Sequence, residues 1–536
     1  MTEDDNIEGV PIAAVPPPEG DGRHLSIFRI FLVVAVVAAA IGGGAFFLHN
    51  RESEANAVAA KSWFAPYVDV TATPKYAFED LTASGHRSAV LAFVVSALDA
   101  PCEPSWGGAY SMAQAADALE LDRRVARLRQ LGGDMIVSFG GAANSELSIE
   151  CTDPAELTAA YTAVVERYSL NTIDLDVEGS VASAPEVNQR RAQAVATMTA
   201  TKAASGQPVS VWLTLPVGLS GLTAEGRDVL TSMLSAGVKP AGVNGMTMDF
   251  GEPLPEGASM AGQSELALTA LQQQIQAAYA AVGTSLSDAA SWQMVGATPM
   301  IGQNDVPGEV FGLDDANQLV AFAGQHQLGR LAMWSANRDR PCGPNYPDVT
   351  IVSDACSGVD QSAGQFDSVL GSFGTGQQPV SPTTTTSVSA STTASASGSA
   401  APTTTAGVDD PATSPYAIWN TNQAYPKGSK VVWHRNVYQA KWYTQGDQPD
   451  LPVASADQTP WTLIGPVLPG DHPAPTPTLA AGTYPEWSAT EVYVAGSRVL
   501  YEGVGYEAKY WTQGSVPGAV PQTPQESLPW QVLTAP

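Results

Sequence analysis

Short apolar runs alternate with longer amphipathic or alanine-rich stretches between about residues 61 and 374. The runs have the length of strands, and stretches such as 155–170 and 264–282 have the length and pattern of helices. Repeated strand-helix units of this kind predict a parallel sheet with helices packed against it. The eight candidate strands are 64–70, 89–95, 134–140, 172–178, 209–216, 242–250, 292–300 and 330–335.

Eight units in about 310 residues predict an α/β fold of the closed (β/α)8 TIM-barrel type, whose active site lies at the carboxyl ends of its strands. Polar or aromatic residues lie at these ends: Glu178 ends the fourth predicted strand, Asp249 lies at the end of the sixth, Gln303 follows the seventh and Trp334 lies near the end of the eighth. A doubly wound open sheet is the alternative, but no G-x-G-x-x-G turn follows the first strand to support it.

The predicted fourth strand lies in NTIDLDVEG, residues 171–179, where Asp174, Asp176 and Glu178 alternate with Ile, Leu and Val. Side chains alternate between the two faces of a strand, so the three acids share one face. Adjacent buried carboxylates repel one another unless one is protonated, and such clusters usually mark functional sites. A hydrogen-bonded network or a metal cage is the alternative, but one strand seldom supplies enough oxygen ligands. We predict no metal and no cofactor.

A Ser/Thr/Pro/Ala-rich tract follows Gly374 and predicts a flexible linker. Beyond it, residues 424–447 align without a gap with residues 492–515, which indicates two copies of one small all-β module. The predicted ranges are 61–374 for the barrel, 375–415 for the linker, 416–468 for module 1, 469–482 for a second linker and 483–536 for module 2.

Each module carries a pair of adjacent aromatic residues, Trp442–Tyr443 in module 1 and Tyr510–Trp511 in module 2. Neighbouring residues of a strand point in opposite directions, so at least one ring of each pair should be exposed and available to a ligand. Other aromatic residues are assigned to the small cores: Trp419, Tyr438, Trp461, Trp487, Tyr506 and Trp530.

Residues 27–48 are apolar, with no charge after Arg29, and match the roughly 20 residues that span a bilayer. Basic residues before this run predict a cytoplasmic tail at 1–26 and a single-pass anchor at 27–49. A cleaved signal peptide is the alternative, because small residues at 55–60 suit signal peptidase. Both interpretations place the remaining chain outside the cell. The net charge of −28 argues against nucleic acid as a partner.

The four cysteines fit an exported protein with two disulfides, although four thiols allow three pairings. We favour Cys102 with Cys151 and Cys342 with Cys356. A zinc site is disfavoured, because no two cysteines have C-x-x-C spacing.

Several of these motifs resemble known families. NTIDLDVEG resembles the D-G-x-D-x-D-x-E signature of family 18 glycoside hydrolases, the chitinases, and VSFGGA at 137–142 resembles their S-x-G-G strand. AKWYTQGD and AKYWTQGS resemble the core of family 5/12 carbohydrate-binding modules. Asn171 and Thr172 depart from the Asp-Gly of the signature, and Met248 stands where many members have a Tyr that binds the substrate acetamide.

The resemblance implies a role for each candidate site residue. Glu178 would be the general acid, Asp176 would orient the acetamide group, and Asp174 would be an inner partner that shares a proton with Asp176. Asp249 would be a further active-site acid, and Trp334 would form the floor beneath the reacting sugar. The remaining candidate substrate-binding residues are Tyr67, Ser138, Met248 and Gln303.

The implied protein is a monomeric chitinase, extracellular or anchored to the membrane, with endo action preferred over exo action. Chitin or a related N-acetylglucosamine polysaccharide would be its partner. An inactive chitin-binding or adhesion protein is one alternative, and a glycosidase acting on peptidoglycan or N-glycans is another.

Overall fold

The computed structural model describes residues 62–80, 88–251, 258–373, 408–453, 455–473, 478–519 and 528–533. These residues belong to one compact unit, Lys61–Pro536. The predicted anchor at 27–49 and most of the predicted linker at 375–415 lie outside the described residues. Within the described ranges, no helix combines the length and apolar character needed to cross a membrane.

The strands that precede the tail form one large sheet and one small hairpin. They are β1 (Trp63–Phe64), β2 (Tyr67–Asp69), β3 (Ser88–Ala97), β4 (Ala100–Trp106), β5 (Tyr110–Ser111), β6 (Asp134–Gly140), β7 (Thr172–Asp176), β8 (Ser210–Gly218), β9 (Gly221–Leu222), β10 (Gly242–Met246), β11 (Val295–Thr298), β12 (Gly302–Gln303), β13 (Val310–Phe311) and β14 (Arg330–Leu331).

Helices lie between these strands along the chain, and one more follows the last of them. They are α1 (Met112–Ala118), α2 (Leu121–Gln130), α3 (Leu147–Glu150), α4 (Pro154–Arg167), α5 (Gly179–Ala182), α6 (Pro185–Ala204), α7 (Ala224–Ser235), α8 (Met260–Ala281), α9 (Asp288–Trp292), α10 (Leu313–His326) and α11 (Gln365–Leu370). Side chains cap several of their starts: Asp153 accepts from the first turn of α4, and Thr223 does the same for α7.

Parallel pairing connects the main strands into a closed ring. In order around the ring the pairs are β1–β14, β14–β11, β11–β10, β10–β8, β8–β7, β7–β6, β6–β3 and β3–β2. Only Ala65 and Pro66 separate β1 from β2, so these two segments occupy one strand position and close the ring. The predicted α/β architecture is present, and its parallel strands enclose a barrel.

Several strands are shorter than the sequence pattern predicts. β7 ends at Asp176 rather than at residue 178, and β10 ends at Met246 rather than at residue 250. The predicted start of the seventh strand at residue 292 is wrong, because α9 covers Asp288–Trp292 and Ser287 caps it through the Ala290 amide. The candidate site residues after these strands therefore lie on loops.

The apolar core lies mainly between the ring and the helices. Ile173, Leu175 and Val177 are buried in this layer, on the opposite face of their segment from Asp174 and Asp176. A smaller cluster around Tyr67, Ala92 and Ala332 lies separately from it. The alternation predicted for NTIDLDVEG is therefore confirmed.

Two disulfides join Cys102 to Cys151 and Cys342 to Cys356, and the favoured pairing is confirmed. The first connects β4 to the residue that follows α3, and the second closes a loop after the last strand of the ring.

The tail contains the same five-strand arrangement twice. Module 1 consists of β15 (Ala424–Tyr425), β16 (Lys430–Trp433), β17 (Asn436–Ala440), β18 (Thr444–Gln445) and β19 (Trp461–Pro466). Module 2 consists of β20 (Val492–Tyr493), β21 (Arg498–Tyr501), β22 (Val504–Ala508), β23 (Thr512–Gln513) and β24 (Trp530–Val532). In each module the first and fourth strands pair, and the other three form an antiparallel sheet.

Candidate active site

Asp174 lies at the centre of the barrel, where side chains from four other strands converge on its carboxylate. Tyr67 and Ser138 donate to Oδ2 at 2.8 and 2.7 Å, and Thr214 donates to Oδ1 at 2.7 Å. Arg330 Nη1 lies 2.6 Å from Oδ1, and both charged side chains are fully buried. Donors from β2, β6, β8 and β14 can meet only inside the ring, so the acidic face of β7 points into the barrel.

The partners of Asp174 are Arg330 and three hydroxyl groups. The predicted sharing of a proton between Asp174 and Asp176 stays a prediction. The hydroxyls of Tyr67 and Ser138, two of the candidate substrate-binding residues, donate to Asp174. The attraction of Arg330 and these donors stabilises the charged form of a buried carboxylate, which would otherwise be costly.

Asp176 is the next acid along β7, and its carboxyl group is buried. Its pKa is raised well above the ordinary value, first by burial and then by the charges of Glu178 and Asp174. Hydrogen bonding with Glu178 contributes to the same rise in pKa, whereas Oδ1 is buried without a partner among the described residues. An unpartnered carboxyl oxygen inside a barrel is available to a substrate donor.

Glu178 lies two residues past the end of β7 and is half-buried at the start of α5. Burial raises the pKa of its carboxyl group and the charge of Asp249 raises it further, while the hydrogen bond from Asp176 opposes the shift. The two carboxyl groups therefore hold a proton more readily than isolated carboxyl groups do.

Asp249 is held on the loop after β10 by contacts with the loop after β12. Its Oδ1 accepts the Val306 amide at 3.0 Å, and the carboxylate of Glu309 accepts the next two backbone amides, Phe250 at 3.0 Å and Gly251 at 2.9 Å. Asn304 Oδ1 lies 3.4 Å from the Asp249 amide. These contacts fix the charge that acts on Glu178.

Aromatic rings line one side of the same region. Trp334 stacks on Phe93 with ring centres 5.5 Å apart, and it meets Tyr67 edge-on at 6.1 Å. Met248 is buried beside Asp249 in the chain. Gln303 is half-buried on β12, and its side-chain amide donates to the carbonyl of Gly358 at 3.5 Å.

Two glycines of VSFGGA allow close packing beside the acids. A Cβ at Gly140, where φ is +104°, would lie 2.0 Å from the backbone oxygen of Asp176. A Cβ at Gly141 would lie 2.8 Å from the ring of Phe93. The glycines are therefore needed for the approach of β6 to β7 and to the aromatic side of the barrel.

Sequence reasoning missed Phe93, Thr214, Asn244, Glu309 and Arg330. Arg330 could have been predicted, because it is the first residue of an apolar strand-like run. An arginine in such a position indicates a buried charge that needs an acidic partner. Asn244 donates to Thr214 and Thr298 from β10, at 3.1 and 2.7 Å. Phe93 lies within an apolar run and carries no signal that separates it from core residues.

Two curated proteins are similar in sequence to about half of this chain. A probable bifunctional chitinase/lysozyme of Escherichia coli (strain K12) is 36% identical over 299 residues, which cover 53% of this chain and 32% of that protein. Endochitinase 11 of Metarhizium anisopliae is 36% identical over 295 residues, covering 52% and 54%. The chain thus spans about a third to a half of the length of these curated relatives. The barrel is a chitinase-like domain.

Two further similarities complete the comparison. The solved catalytic domain of a hyperthermophilic chitinase from Pyrococcus furiosus is 29% identical, with a TM-score of 0.49, and the match covers 58% of this chain and 95% of that one. Residues 486–531 match carbohydrate-binding module family 5/12. The chain after the barrel thus contains a region that matches a carbohydrate-binding family.

The tandem aromatic residues of both modules are exposed. Trp442 and Tyr443 expose 45% and 62% of their surface, and Tyr510 and Trp511 expose 41% and 61%. Both rings of each pair therefore reach solvent. The aromatic residues assigned to the cores lie in the two hydrophobic clusters, with Trp487 only partly buried.

Proposed function

We propose that this protein is a family 18 chitinase that hydrolyses β-1,4 linkages between N-acetylglucosamine units by a substrate-assisted, retaining mechanism. The observation that carries the proposal is the placement of the acids: Asp176 is buried on the inward face of β7 with Oδ1 unpartnered among the described residues, and Glu178 follows two residues later at the start of α5. The pKa of each carboxyl group is raised, in both cases first by burial. The identity to chitinases supports the substrate class. The two disulfides support action in an oxidising, extracellular environment.

In the first step, the proton shared by the two acids lies on Glu178, which donates it to the glycosidic oxygen while the bond from that oxygen to the anomeric carbon breaks. The carbonyl oxygen of the substrate acetamide forms a new bond to the anomeric carbon, which gives an oxazolinium ion. Asp176 accepts the acetamide N–H and offsets the positive charge that develops. The unpartnered Oδ1 of Asp176 suits this task.

In the second step, ionised Glu178 takes a proton from water, and the water oxygen attacks the anomeric carbon from the side that the leaving group vacated. The bond to the acetamide oxygen breaks, and the anomeric configuration is retained. Glu178 ends the cycle protonated. Asp174 and Arg330 act beneath this pair as positioning residues, because their ion pair fixes β7 within the ring.

Asp249→Asn should move the alkaline limb of the pH profile of kcat to lower pH. The negative charge of Asp249 raises the pKa of Glu178, so its removal allows Glu178 to lose the catalytic proton at lower pH. Asparagine keeps the oxygen that accepts the Val306 amide, so the loop should hold its position. Rates measured across pH on a soluble chito-oligosaccharide test this. An unchanged alkaline limb would show that Asp249 does not act on Glu178.

We further propose that module 1, residues 416–468, is a second family 5/12 module, since it repeats the strand arrangement of the matched region. In both modules the exposed ring pairs would stack on the apolar faces of sugar rings. Two modules on one chain raise the local concentration of chitin if both can bind at once.

Digestion of chitin, cellulose and peptidoglycan by the wild-type protein, side by side, tests the proposed function. Chitin should release soluble N-acetylglucosamine oligomers of mixed length, as endo action produces. Cellulose should release nothing, because a glucose unit has no acetamide to act as the nucleophile. Release from peptidoglycan alone would replace chitin as the substrate, and binding to chitin without release would favour the non-hydrolytic alternative.

A further inference from the structure

A cluster of charged residues joins module 1 to the barrel. Glu120, the residue before α2, is buried with 5% exposure. Its Oε1 accepts Lys430 Nζ at 2.5 Å and also the hydroxyl of Tyr416, both from module 1. Its Oε2 accepts Nε of Arg123 at 3.0 Å. Burial alone would raise the pKa of Glu120, but the hydrogen bonds of Lys430 and Tyr416 lower it. The carboxylate is thus held charged at this junction.

Arg123 extends the same junction to the end of module 1. Its Nη1 lies 2.6 Å from the carbonyl oxygen of Pro466 and 2.8 Å from Oδ2 of Asp471. Gly465 permits the approach, because a Cβ there would lie 2.5 Å from the backbone oxygen of Arg123. The contact therefore includes backbone packing as well as charge, unlike a chance surface ion pair.

The two modules differ at the positions that form this junction. Arg498 of module 2 corresponds to Lys430 in the repeat, and it pairs with Glu507 of its own module at 2.8 Å. The residue of module 1 that corresponds to Glu507 is Gln439, which carries no charge. Lys430 thus lacks the acid that its counterpart has within the module, and the barrel supplies Glu120 in its place.

The junction lies toward the end of the barrel that carries the candidate active site. Lys75 and Glu79 follow β2 at its carboxyl end, where the site residues also lie. Lys75 Nζ donates to the carbonyl oxygen of Ala118 at 2.7 Å, and Glu79 pairs with Arg124 of α2 at 2.9 Å. These contacts hold the start of α2 against the loop that follows β2 at the carboxyl end of the barrel. Module 1, which contacts α2, therefore lies near the same end.

We propose that module 1 is docked on the barrel through Glu120, Arg123, Tyr416, Lys430 and Asp471, and that it forms a fixed extension of the catalytic unit toward chitin. In this arrangement Trp442 and Tyr443 remain exposed, so docking leaves the ring platform free. The sequence predicted a flexible tether between barrel and modules. A fixed module would instead hold its bound polysaccharide at a set place beside the barrel. The docking stands on geometry alone, whereas its effect on chitin rests on the proposed function.

Lys430→Glu in the full chain is the undocking variant, because it places a second carboxylate against Glu120. Arg498→Glu is the matched control, since it makes the same charge change at the equivalent position of module 2. The double variant Glu120→Lys with Lys430→Glu restores an opposite-charge pair. Hydrogen exchange followed by mass spectrometry measures the protection of α2 and β19, which face each other across the junction. The protection of β17 shows whether module 1 remains folded.

Exchange in α2 and β19 should become about tenfold faster in Lys430→Glu, remain at the wild-type rate in Arg498→Glu and return toward it in the double variant. β17 should stay protected in all of them. Equal exchange in α2 and β19 for wild type and Lys430→Glu would overturn the docking.

Activity measurements test the docking of module 1 separately from the proposed chitinase function. Lys430→Glu should lower the rate on insoluble chitin by roughly threefold, through loss of effective concentration, and leave the rate on soluble oligomers unchanged. If the exchange pattern is as expected but no protein, wild type included, releases sugar from chitin, the docking is supported and the proposed function fails. An equal loss of activity in Arg498→Glu and Lys430→Glu would overturn a special role for module 1.

Discussion

Glu178→Gln should slow chitin hydrolysis by about 10²- to 10⁴-fold, the usual contribution of a positioned general acid. Glutamine has nearly the same shape but no acidic proton, so the leaving oxygen would depart as a poor anion. Water would also lack a base in the second step. The exposed rings of the modules are far along the chain and unaltered, so binding to insoluble chitin should stay at the wild-type level.

Release of soluble oligomers and sedimentation with chitin measure the two effects separately. Glu186→Gln is the matched control: it makes the same chemical change at an exposed position in the first turn of α6. This control should keep wild-type activity. If Glu178→Gln also hydrolyses chitin within a few-fold of wild type, Glu178 is not the proton donor and the proposed mechanism is wrong.

Asp176→Asn should lower kcat by about 10²- to 10³-fold, the range for loss of one group that stabilises transition-state charge. Asparagine can still contact an acetamide, but it cannot offset the positive oxazolinium ion. The loss should be largest for fully acetylated substrate, where the acetamide is the nucleophile. The preference of the enzyme for chitin over partly deacetylated chitosan should therefore become smaller.

The same variant should be at least as stable as wild type at neutral pH. The folded-state pKa of Asp176 is raised, so its contribution to stability is complete below the unfolded-state pKa and is lost as pH rises toward the folded-state value. Replacement by a neutral amide removes that loss. Thermal unfolding of both proteins at pH 5 and pH 7 checks the prediction. A variant that loses activity and also unfolds at a much lower temperature would point to a structural role.

The sequence predicted the acidic face correctly because strand alternation is a local property. Ile173 and Leu175 pack outward while Asp174 and Asp176 face the interior, as the period of two requires. The alternating pattern did not predict where β7 ends. The chain leaves the ring after Asp176, and Glu178 begins a helix. The two cystine bridges and the repeated modules were also predictable, since cysteine number and a gapless repeat are written directly in the chain.

The partners of the acids could not be predicted in the same way. Arg330 lies 156 residues from Asp174 in the sequence, and only ring closure brings them together. Lys430 lies 310 residues from Glu120, and no periodic pattern relates them. A buried carboxylate can be predicted from the sequence when it interrupts an apolar strand. Its counter-ion cannot, because the topology of the fold determines which residue lies beside it. The ion pair between Asp174 and Arg330 therefore had no signal in the sequence around Asp174.

The convergence of four strands on Asp174 links the closure of the barrel to the alignment of the catalytic acids. Tyr67, Ser138, Thr214 and Arg330 hold the ring together at the point from which β7 presents its next acid. Any breathing of the barrel wide enough to part these side chains would also misalign Asp176. Catalytic activity thus requires a closed barrel. A partly opened molecule would be inactive.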